Sequence, residues 1–234
     1  STGQRNPETM GHPKKNGPRK SLVLKMKDPD SLIFDLDGTL WDAVQTYSDA
    51  WNLYFERNSI EQETSKEDLN GLMGMEEAEF LQVLLPDISP GERKMHYEKI
   101  VDLQYELIDR QGGQIYPGVP EGLKRLSEKY SLFIVSNCPE HTIAHFVRFA
   151  GIESLIRDSI AHGQNHKSKH ENIRILIHRH VLRKPLYIGD TDGDRVQSEK
   201  ASVPFIFMEY GFGRASNYYQ SFDSFSSFVN HYLK

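Results

Sequence analysis

Residues 32–40, with the sequence LIFDLDGTL, constrain the fold of this 234-residue chain more than any other stretch. An apolar run ends in Asp35 and Asp37, and Gly38 follows directly, which predicts a short buried strand and a sharp turn. Because side chains alternate along a strand, the two carboxylates point the same way and repel each other. A fold keeps such a pair where a cation or a proton transfer uses it. Taken alone, the stretch also fits an Asp-rich turn.

Composition excludes several classes of protein. The length suits one large domain or one domain with an insertion. The single cysteine, Cys138, rules out an intramolecular disulfide and fits a reducing compartment. Residues 1–27 begin with a stretch rich in Lys, Arg, Pro and Gly, which predicts a basic disordered tail. The remainder is more acidic than the net charge of −5, which argues against nucleic-acid binding.

We also find no apolar run close to the ~20 residues of a membrane span and no pattern of a secretory signal. We therefore expect a cytoplasmic protein that contacts neither membranes nor nucleic acid.

Two kinds of periodicity divide the chain. Residues 42–116 carry apolar and aromatic residues at helical spacing, which predicts an all-helical unit. From residue 117 onward, helical patterns alternate with short apolar runs, which predicts a parallel sheet with crossover helices. We therefore predict an α/β fold, with a Rossmann-like core made of residues 28–41 and 117–234 and the helical unit inserted at 42–116. The predicted strands are 32–34, 132–135, 158–161, 186–188 and 205–208, and the later helices are 122–130, 142–149, 173–181, 195–201 and 222–232.

Reactive side chains follow the predicted strands. In open α/β sheets such groups meet beyond the carboxyl ends of the strands. Four of these residues carry a carboxylate and one carries an ammonium group, so negative charge is in excess. A hard cation with oxygen ligands, such as Mg²⁺, would balance that excess. This set of groups, a cation, an ammonium and a hydroxyl beside a free carboxylate, favours phosphoryl transfer. One carboxylate can serve as the nucleophile, and the carboxylate two residues further on can donate and accept the proton. The residues are Asp35, Asp37, Ser136, Asn137, Lys169, Asp190 and Asp194.

Four motifs in this order resemble the haloacid dehalogenase (HAD) superfamily, and within it the phosphoglycolate-phosphatase-like branch. They are DLDGTLWD, VSNC, the region of Lys169, and YIGDTDGD, and the resemblance spans residues 31–213. It implies a HAD-like core with a helical cap, residues 42–116, that closes over the substrate. It also implies a Mg²⁺-dependent phosphatase acting on a small phosphorylated metabolite through an aspartyl-phosphate, with a phosphoglycolate-like substrate as one candidate. We expect a monomer or homodimer.

The resemblance implies a role for each matched residue. Asp35 would be the nucleophile and Asp37 the general acid and base, and Ser136 and Lys169 would complete the catalytic group. Mg²⁺ would be held by Asp35, by Asp37 through its backbone carbonyl, and by Asp190. Asp194 would hold a metal-bound water or orient the lysine. The residues expected to bind the phosphoryl group are Gly38, Thr39, Ser136 and Asn137.

Some alternatives stay open. A phosphomutase of the same superfamily, phosphoglucomutase-like, would return the phosphoryl group to a second hydroxyl instead of to water, and the motifs do not decide this. A non-catalytic binding protein is disfavoured because every matched catalytic residue is present. Lys167 also lies near the position of the lysine, and Lys169 is preferred because it sits just before the start of a predicted helix, where the family places its lysine.

Three histidines, His162, His166 and His170, recur every four residues, a spacing that metal-binding helices use. Gly163 and Asn165 argue against a regular helix there, so polar loop histidines are the preferred interpretation.

Overall fold

The computed structural model describes residues 28–234, so the predicted basic tail, residues 1–27, lies outside the described residues. The strands are β1 (Ser31–Phe34), β2 (Trp41–Asp42), β3 (Gln114–Ile115), β4 (Ser131–Ser136), β5 (Ile156–Ala161), β6 (Pro185–Gly189), β7 (Phe205–Met208) and β8 (Gln220–Phe222). The helices are α1 (Val44–Arg57), α2 (Lys66–Asn70), α3 (Glu77–Leu84), α4 (Pro90–Gln111), α5 (Val119–Ser127), α6 (Thr142–Ala150), α7 (His162–Asn165), α8 (Lys169–His180), α9 (Asp192–Lys200) and α10 (Phe225–Tyr232). Each helix of this part of the chain is too short or too polar to span a bilayer.

Six strands form one parallel sheet in the order β5-β4-β1-β6-β7-β8. Strand β1 lies between β4 and β6, with Phe34 opposite Ile134 and Ile188. All four residues of β1 are buried, as expected of a parallel strand covered on both faces. The predicted α/β fold with a Rossmann-like parallel sheet is confirmed.

Helices cover both faces of the sheet and fix β1 from two sides. On one face Phe34 contacts Phe228 of α10, with ring centroids 6.0 Å apart at 85°. On the other face Ile33 belongs to a buried cluster with Ile173 and Leu176 of α8. Because β1 is packed on both faces, Asp35, which follows it directly, is held at a defined place beyond the carboxyl edge.

Helices α1 to α4 lie between β2 and β3, which pair antiparallel through Trp41 with Ile115 and Asp42 with Gln114. The chain therefore leaves the core and returns to it at one place. Helix α1 packs against α4, where the Trp51 ring lies 6.1 Å from the Tyr97 ring. This segment is helical, as its periodicity predicted, and its division from the core as a separate cap, residues 42–116, stays a prediction.

The sequence misplaced several element boundaries. Helix α9 begins at Asp192 instead of residue 195, because Thr191 and Asp194 form a capping box in which each side chain accepts a hydrogen bond from the other's backbone N–H. The last helix was predicted from Phe222, but that residue ends β8. Helix α10 starts after Ser224, whose hydroxyl oxygen accepts a bond from the backbone N–H of Ser227 at 3.2 Å.

Candidate active site

Three neighbouring strands end at one edge of the sheet, and each carries a predicted site residue there. Asp35 follows β1, Ser136 is the last residue of β4, and Asp190 follows β6. Lys169, the first residue of α8, extends its side chain to the same place. The structure thus brings together side chains that are far apart in sequence, and the parallel topology is the reason.

Lys169 lies among three buried carboxylates. Its Nζ donates to Oδ1 of Asp35 at 2.9 Å and to Oδ1 of Asp194 at 2.6 Å. With Asp190, these aspartates offer carboxylate oxygens that lie within 4.8 Å of one another. All four side chains are buried, whereas Lys167 is exposed. The structure therefore places Lys169, and not Lys167, beside Asp35.

Burial and mutual repulsion govern the ionisation of this group. Burial raises the pKa of Asp35 to about 7; the charge of Asp194 adds to this rise and Lys169 opposes it. Burial and the same neighbouring carboxylates raise the pKa of Asp190 well above its ordinary value. Burial disfavours the ammonium of Lys169, but Asp194 and Asp35 outweigh that effect and raise its pKa. One ammonium does not balance three carboxylates in a site removed from water.

The donor set fits Mg²⁺. It consists of carboxylate oxygens, which hard divalent cations prefer, and its surplus negative charge is buried. Asp35 and Asp190 are the predicted ligands and both belong to the set. Asp194 belongs to it as well, and its Oδ2 already accepts bonds from the backbone N–H groups of Asp190 and Thr191 at 3.2 and 3.1 Å. The geometry agrees with a residue that orients Lys169.

The turn after β1 and the loop after β7 together hold the carboxylate of Asp190. Thr39 donates its hydroxyl to Oδ1 at 3.1 Å, and the backbone N–H of Phe212 donates to Oδ2 at 2.7 Å. Gly38 has a φ of +85°, and a Cβ there would overlap the same carboxylate, so a side chain is excluded for two reasons. The predicted contact of Gly38 and Thr39 with a phosphoryl group stays a prediction.

Two donors to Asp37 were not identified from the sequence. The indole Nε1 of Trp41 and the hydroxyl of Tyr47 both donate to Oδ1 of Asp37, at 3.0 and 2.9 Å. Loss of water around Asp37 raises its pKa to about 6, and the two hydrogen bonds oppose that rise. In the sequence, Tyr47 is one of the aromatic residues at helical spacing in residues 42–116, a pattern that indicates packing and not a polar contact. The one available signal is general: a buried tyrosine hydroxyl usually finds a partner.

Tyr47→Phe is expected to lower kcat/KM for phosphate-ester hydrolysis by about 10- to 150-fold, because a hydrogen bond to a charged group contributes about 1.5–3 kcal/mol. Steady-state rates of phosphate release measure the effect. Tyr54→Phe, another tyrosine of α1, is the matched control, since its hydroxyl bonds His96 at 2.6 Å and lies outside the site. Equal rates for wild type and Tyr47→Phe would contradict a role for this contact.

The inserted helices form the wall of a cavity above Asp35. Asn137 donates its Nδ2 hydrogen to the carbonyl of Gly74 at 3.0 Å, so the loop between α2 and α3 contacts the core here. The Oδ1 of Asn137 is buried without a hydrogen-bond partner among the described residues, which leaves it free to accept one from a ligand. The apolar and aromatic side chains of the wall are Leu69, Leu72, Met73, Met75, Phe80 and Tyr97, and the inserted helices also contribute the polar side chains of Glu77 and Gln104.

Cys138 follows the second motif and also lines this cavity. Its thiol is buried, and burial raises its pKa to about 12. It therefore stays protonated, as expected of a small packing residue.

Comparison with known proteins identifies relatives over most of the chain. Residues 32–208 match the family model described as haloacid dehalogenase-like hydrolase. The phosphoglycolate phosphatase of Psychrobacter arcticus is 26% identical over 226 residues, which cover 88% of this chain and 97% of that protein. That of Rhodobacter capsulatus is 27% identical over 189 residues, covering 78% and 85%.

Solved structures share the fold. A haloacid dehalogenase-like hydrolase from Streptococcus pneumoniae superposes with a TM-score of 0.74 at 18% identity, covering 87% of this chain and 98% of that one. A protein from Haemophilus somnus, described as a predicted phosphoglycolate phosphatase, gives a TM-score of 0.76 at 20% identity, covering 88% of this chain and 99% of that one. The resemblance inferred from the four motifs is confirmed, and the chain belongs to the haloacid dehalogenase-like hydrolase family.

Proposed function

We propose that the chain is a Mg²⁺-dependent phosphatase that hydrolyses a small phosphomonoester through an aspartyl-phosphate on Asp35. The observation that carries this proposal is the placement of Lys169 between Asp35 and Asp194, with Asp190 in the same buried group. Family membership and the relatives named phosphoglycolate phosphatase support the reaction class.

In the first step a carboxylate oxygen of Asp35 attacks phosphorus, and the bond from phosphorus to the ester oxygen breaks. Lys169 offsets the negative charge on Asp35 and on the phosphoryl oxygens. Asp35, Asp190 and the backbone carbonyl of Asp37 would hold Mg²⁺, which when bound neutralises phosphoryl charge. Asp37, with its pKa raised to about 6, gives its proton to the leaving oxygen.

In the second step water attacks phosphorus, the bond to Asp35 breaks, and inorganic phosphate leaves. Asp37, deprotonated by the first step, takes the proton from that water. Tyr47 and Trp41 both donate to Oδ1 of Asp37, which leaves Oδ2 to carry the proton in each direction.

The cavity wall favours a leaving group without negative charge. Among residues 28–234, Lys169 is the one cationic side chain that lines the cavity, and it already pairs with Asp35 and Asp194. A second anionic group, such as the carboxylate of phosphoglycolate, would lose water against apolar side chains without a compensating charge. The relatives named phosphoglycolate phosphatase favour water as the acceptor of the phosphoryl group, so we propose a phosphatase over a phosphomutase.

A phosphate-release assay with phosphoglycolate, phenyl phosphate and a short alkyl phosphate tests both parts of the proposal. We expect Mg²⁺-dependent release that chelator abolishes, with kcat/KM for the uncharged leaving groups higher by about tenfold or more. Asp190→Asn should lose the Mg²⁺-dependent rate. Asp192→Asn is the matched control, because Asp192 is exposed and pairs with Arg195 at 2.6 Å.

Full release in chelator, or by Asp190→Asn, would contradict the metal-dependent reaction. A higher kcat/KM for phosphoglycolate than for the two uncharged esters would contradict the preference for an uncharged leaving group. It would not contradict the phosphatase reaction itself.

A further inference from the structure

A second cluster of metal-binding side chains lies outside the aspartate group. Glu77 lies in α3, His162 begins α7, and His166 follows α7 directly. Each offers one ligand atom, and these atoms lie within 4.8 Å of one another. The two imidazole rings are 5.5 Å apart and nearly perpendicular, at 85°.

The cluster differs from the one that the histidine spacing suggested. Nδ1 of His170 lies 2.9 Å from both Gln197 Oε1 and Ser168 Oγ, so that ring is engaged at the start of α8. The third group is instead Glu77, from the inserted helices. No pattern of spacing in the sequence links a glutamate in α3 to two histidines after β5.

A backbone contact holds the ring of His162 in the orientation that leaves Nε2 for a metal ion. Its Nδ1 lies 3.0 Å from the backbone carbonyl of Lys167. A carbonyl only accepts, so Nδ1 carries the hydrogen and Nε2 of the neutral ring keeps its lone pair. Histidine ligands of metals typically donate their other N–H to a carbonyl or carboxylate in this way. The backbone of Lys167 is itself held, because its N–H donates to Asn165 Oδ1 at 3.0 Å.

The surroundings attract cations and hold α7 in place. Glu77 and His166 line a surface cleft of about 330 Å³. Four carboxylates and one lysine ammonium line that cleft, so its charge is negative; they are Glu77, Glu98, Asp102, Glu140 and Lys94. A Cβ at Gly163 would overlap the backbone of Glu140, so α7 packs as closely as glycine allows.

We propose that Glu77, His162 and His166 bind a transition-metal ion such as Zn²⁺, which joins α3 to α7. Two imidazoles and one carboxylate suit Zn²⁺, whereas Mg²⁺ prefers oxygen ligands alone. The two clusters therefore differ in the ion that they select. Phe80 of the same helix lines the cavity above Asp35, so an ion at this cluster would hold part of the cavity wall against the core.

The test titrates the full chain with Zn²⁺ in the presence of excess Mg²⁺ and follows binding by calorimetry. Wild type should bind one equivalent, and His166→Ala and Glu77→Gln should each weaken binding by about tenfold or more. His170→Ala is the matched control, and it should bind as wild type does. Asp190→Asn should also keep the Zn²⁺ equivalent, because its site is the other cluster.

Two further readouts do not depend on enzymatic activity. Zn²⁺ at 100 times the wild-type Kd should raise the Tm of wild type by about 5–10 °C, and the same Zn²⁺ concentration should raise the Tm of Glu77→Gln by about half as much or less. Zn²⁺ should also slow amide hydrogen exchange in α3 of wild type. Wild type that binds no Zn²⁺ would overturn the proposal. Unchanged Zn²⁺ binding in both His166→Ala and Glu77→Gln would also overturn it, and so would loss of the bound Zn²⁺ in Asp190→Asn. Unchanged exchange in α3 would overturn the connection between the two helices.

Discussion

Asp35→Asn is expected to lower phosphate release by about 10⁴-fold or more while the fold is retained, because an amide cannot form the phosphoryl ester. Stability should not fall. The asparagine has the same shape, its Oδ1 still accepts from Lys169, and the backbone N–H of Asp35 keeps its 2.8 Å bond to the carbonyl of Ile188. The substitution also removes one charge from a group of carboxylates that repel each other.

Acid-quenched samples incubated with radiolabelled substrate give the most direct measurement. Wild type should carry a labelled phosphoryl group on the chain, and Asp35→Asn should carry none. Circular dichroism checks the fold, and mass spectrometry excludes deamidation back to aspartate. Asp192→Asn serves again as the control. More than a few per cent of wild-type activity in a deamidation-free Asp35→Asn sample would remove Asp35 from the role of nucleophile.

Lys169→Met is expected to be the most destabilising substitution in the site. It leaves three buried carboxylates without their ammonium, and breaking a buried ion pair in this way costs about 3–5 kcal/mol. For a chain of this size, the Tm should fall by roughly 6–20 °C in chelator. Mg²⁺ should restore part of the loss, because a cation again balances the carboxylates. Phosphate release should also fall steeply.

The loss of stability in Lys169→Met should depend on pH, and its direction follows from the pKa of Asp35. The folded-state pKa of Asp35 is raised to about 7, against about 3.9 in an unfolded chain. A raised carboxyl pKa means that folding is favoured at low pH and becomes less favourable as pH rises from about 4 to 7. Metal-free Lys169→Met should therefore be destabilised less at pH 5 than at pH 8.

Lys167→Met is the control for this prediction, because Lys167 is exposed and its hydrogen bonds involve its backbone. Its Tm should match that of wild type within about 2 °C, as surface substitutions usually change stability by less than about 0.5 kcal/mol. A similar fall in both variants would show that the effect does not come from the buried ion pair.

The sheet and the convergence of the aspartates followed from the sequence for a physical reason. Short apolar runs next to turn-forming residues mark buried parallel strands, and β7 has its predicted bounds, residues 205–208. Once the strands are parallel, residues directly after them meet at one edge. Asp35 and Asp190 therefore lie together because the strands before them are parallel neighbours. The apolar runs and turn-forming residues of the sequence are sufficient to predict such strands.

Contacts between distant helices could not be read from the sequence. Helices α2 and α3 are too short for periodicity to define, and their positions depend on packing against α1 and α4. The same holds for the hydroxyl of Tyr47, which points to Asp37 only because α1 packs where it does. The approach of Glu77 to His162 depends on how the inserted helices lie against the core.

The short antiparallel pair of β2 and β3 has a consequence for how such a chain can diversify. Its pairing of Trp41 with Ile115 brings the two ends of the helical insertion side by side, at the spacing of about 5 Å that adjacent strands have. A segment of any length whose ends are that close fits this junction, and the entropic penalty of a longer one grows only slowly. One contiguous exchange at this junction would replace the inserted part of the cavity wall, Tyr47 included, and leave Asp35, Lys169 and Asp190 in place.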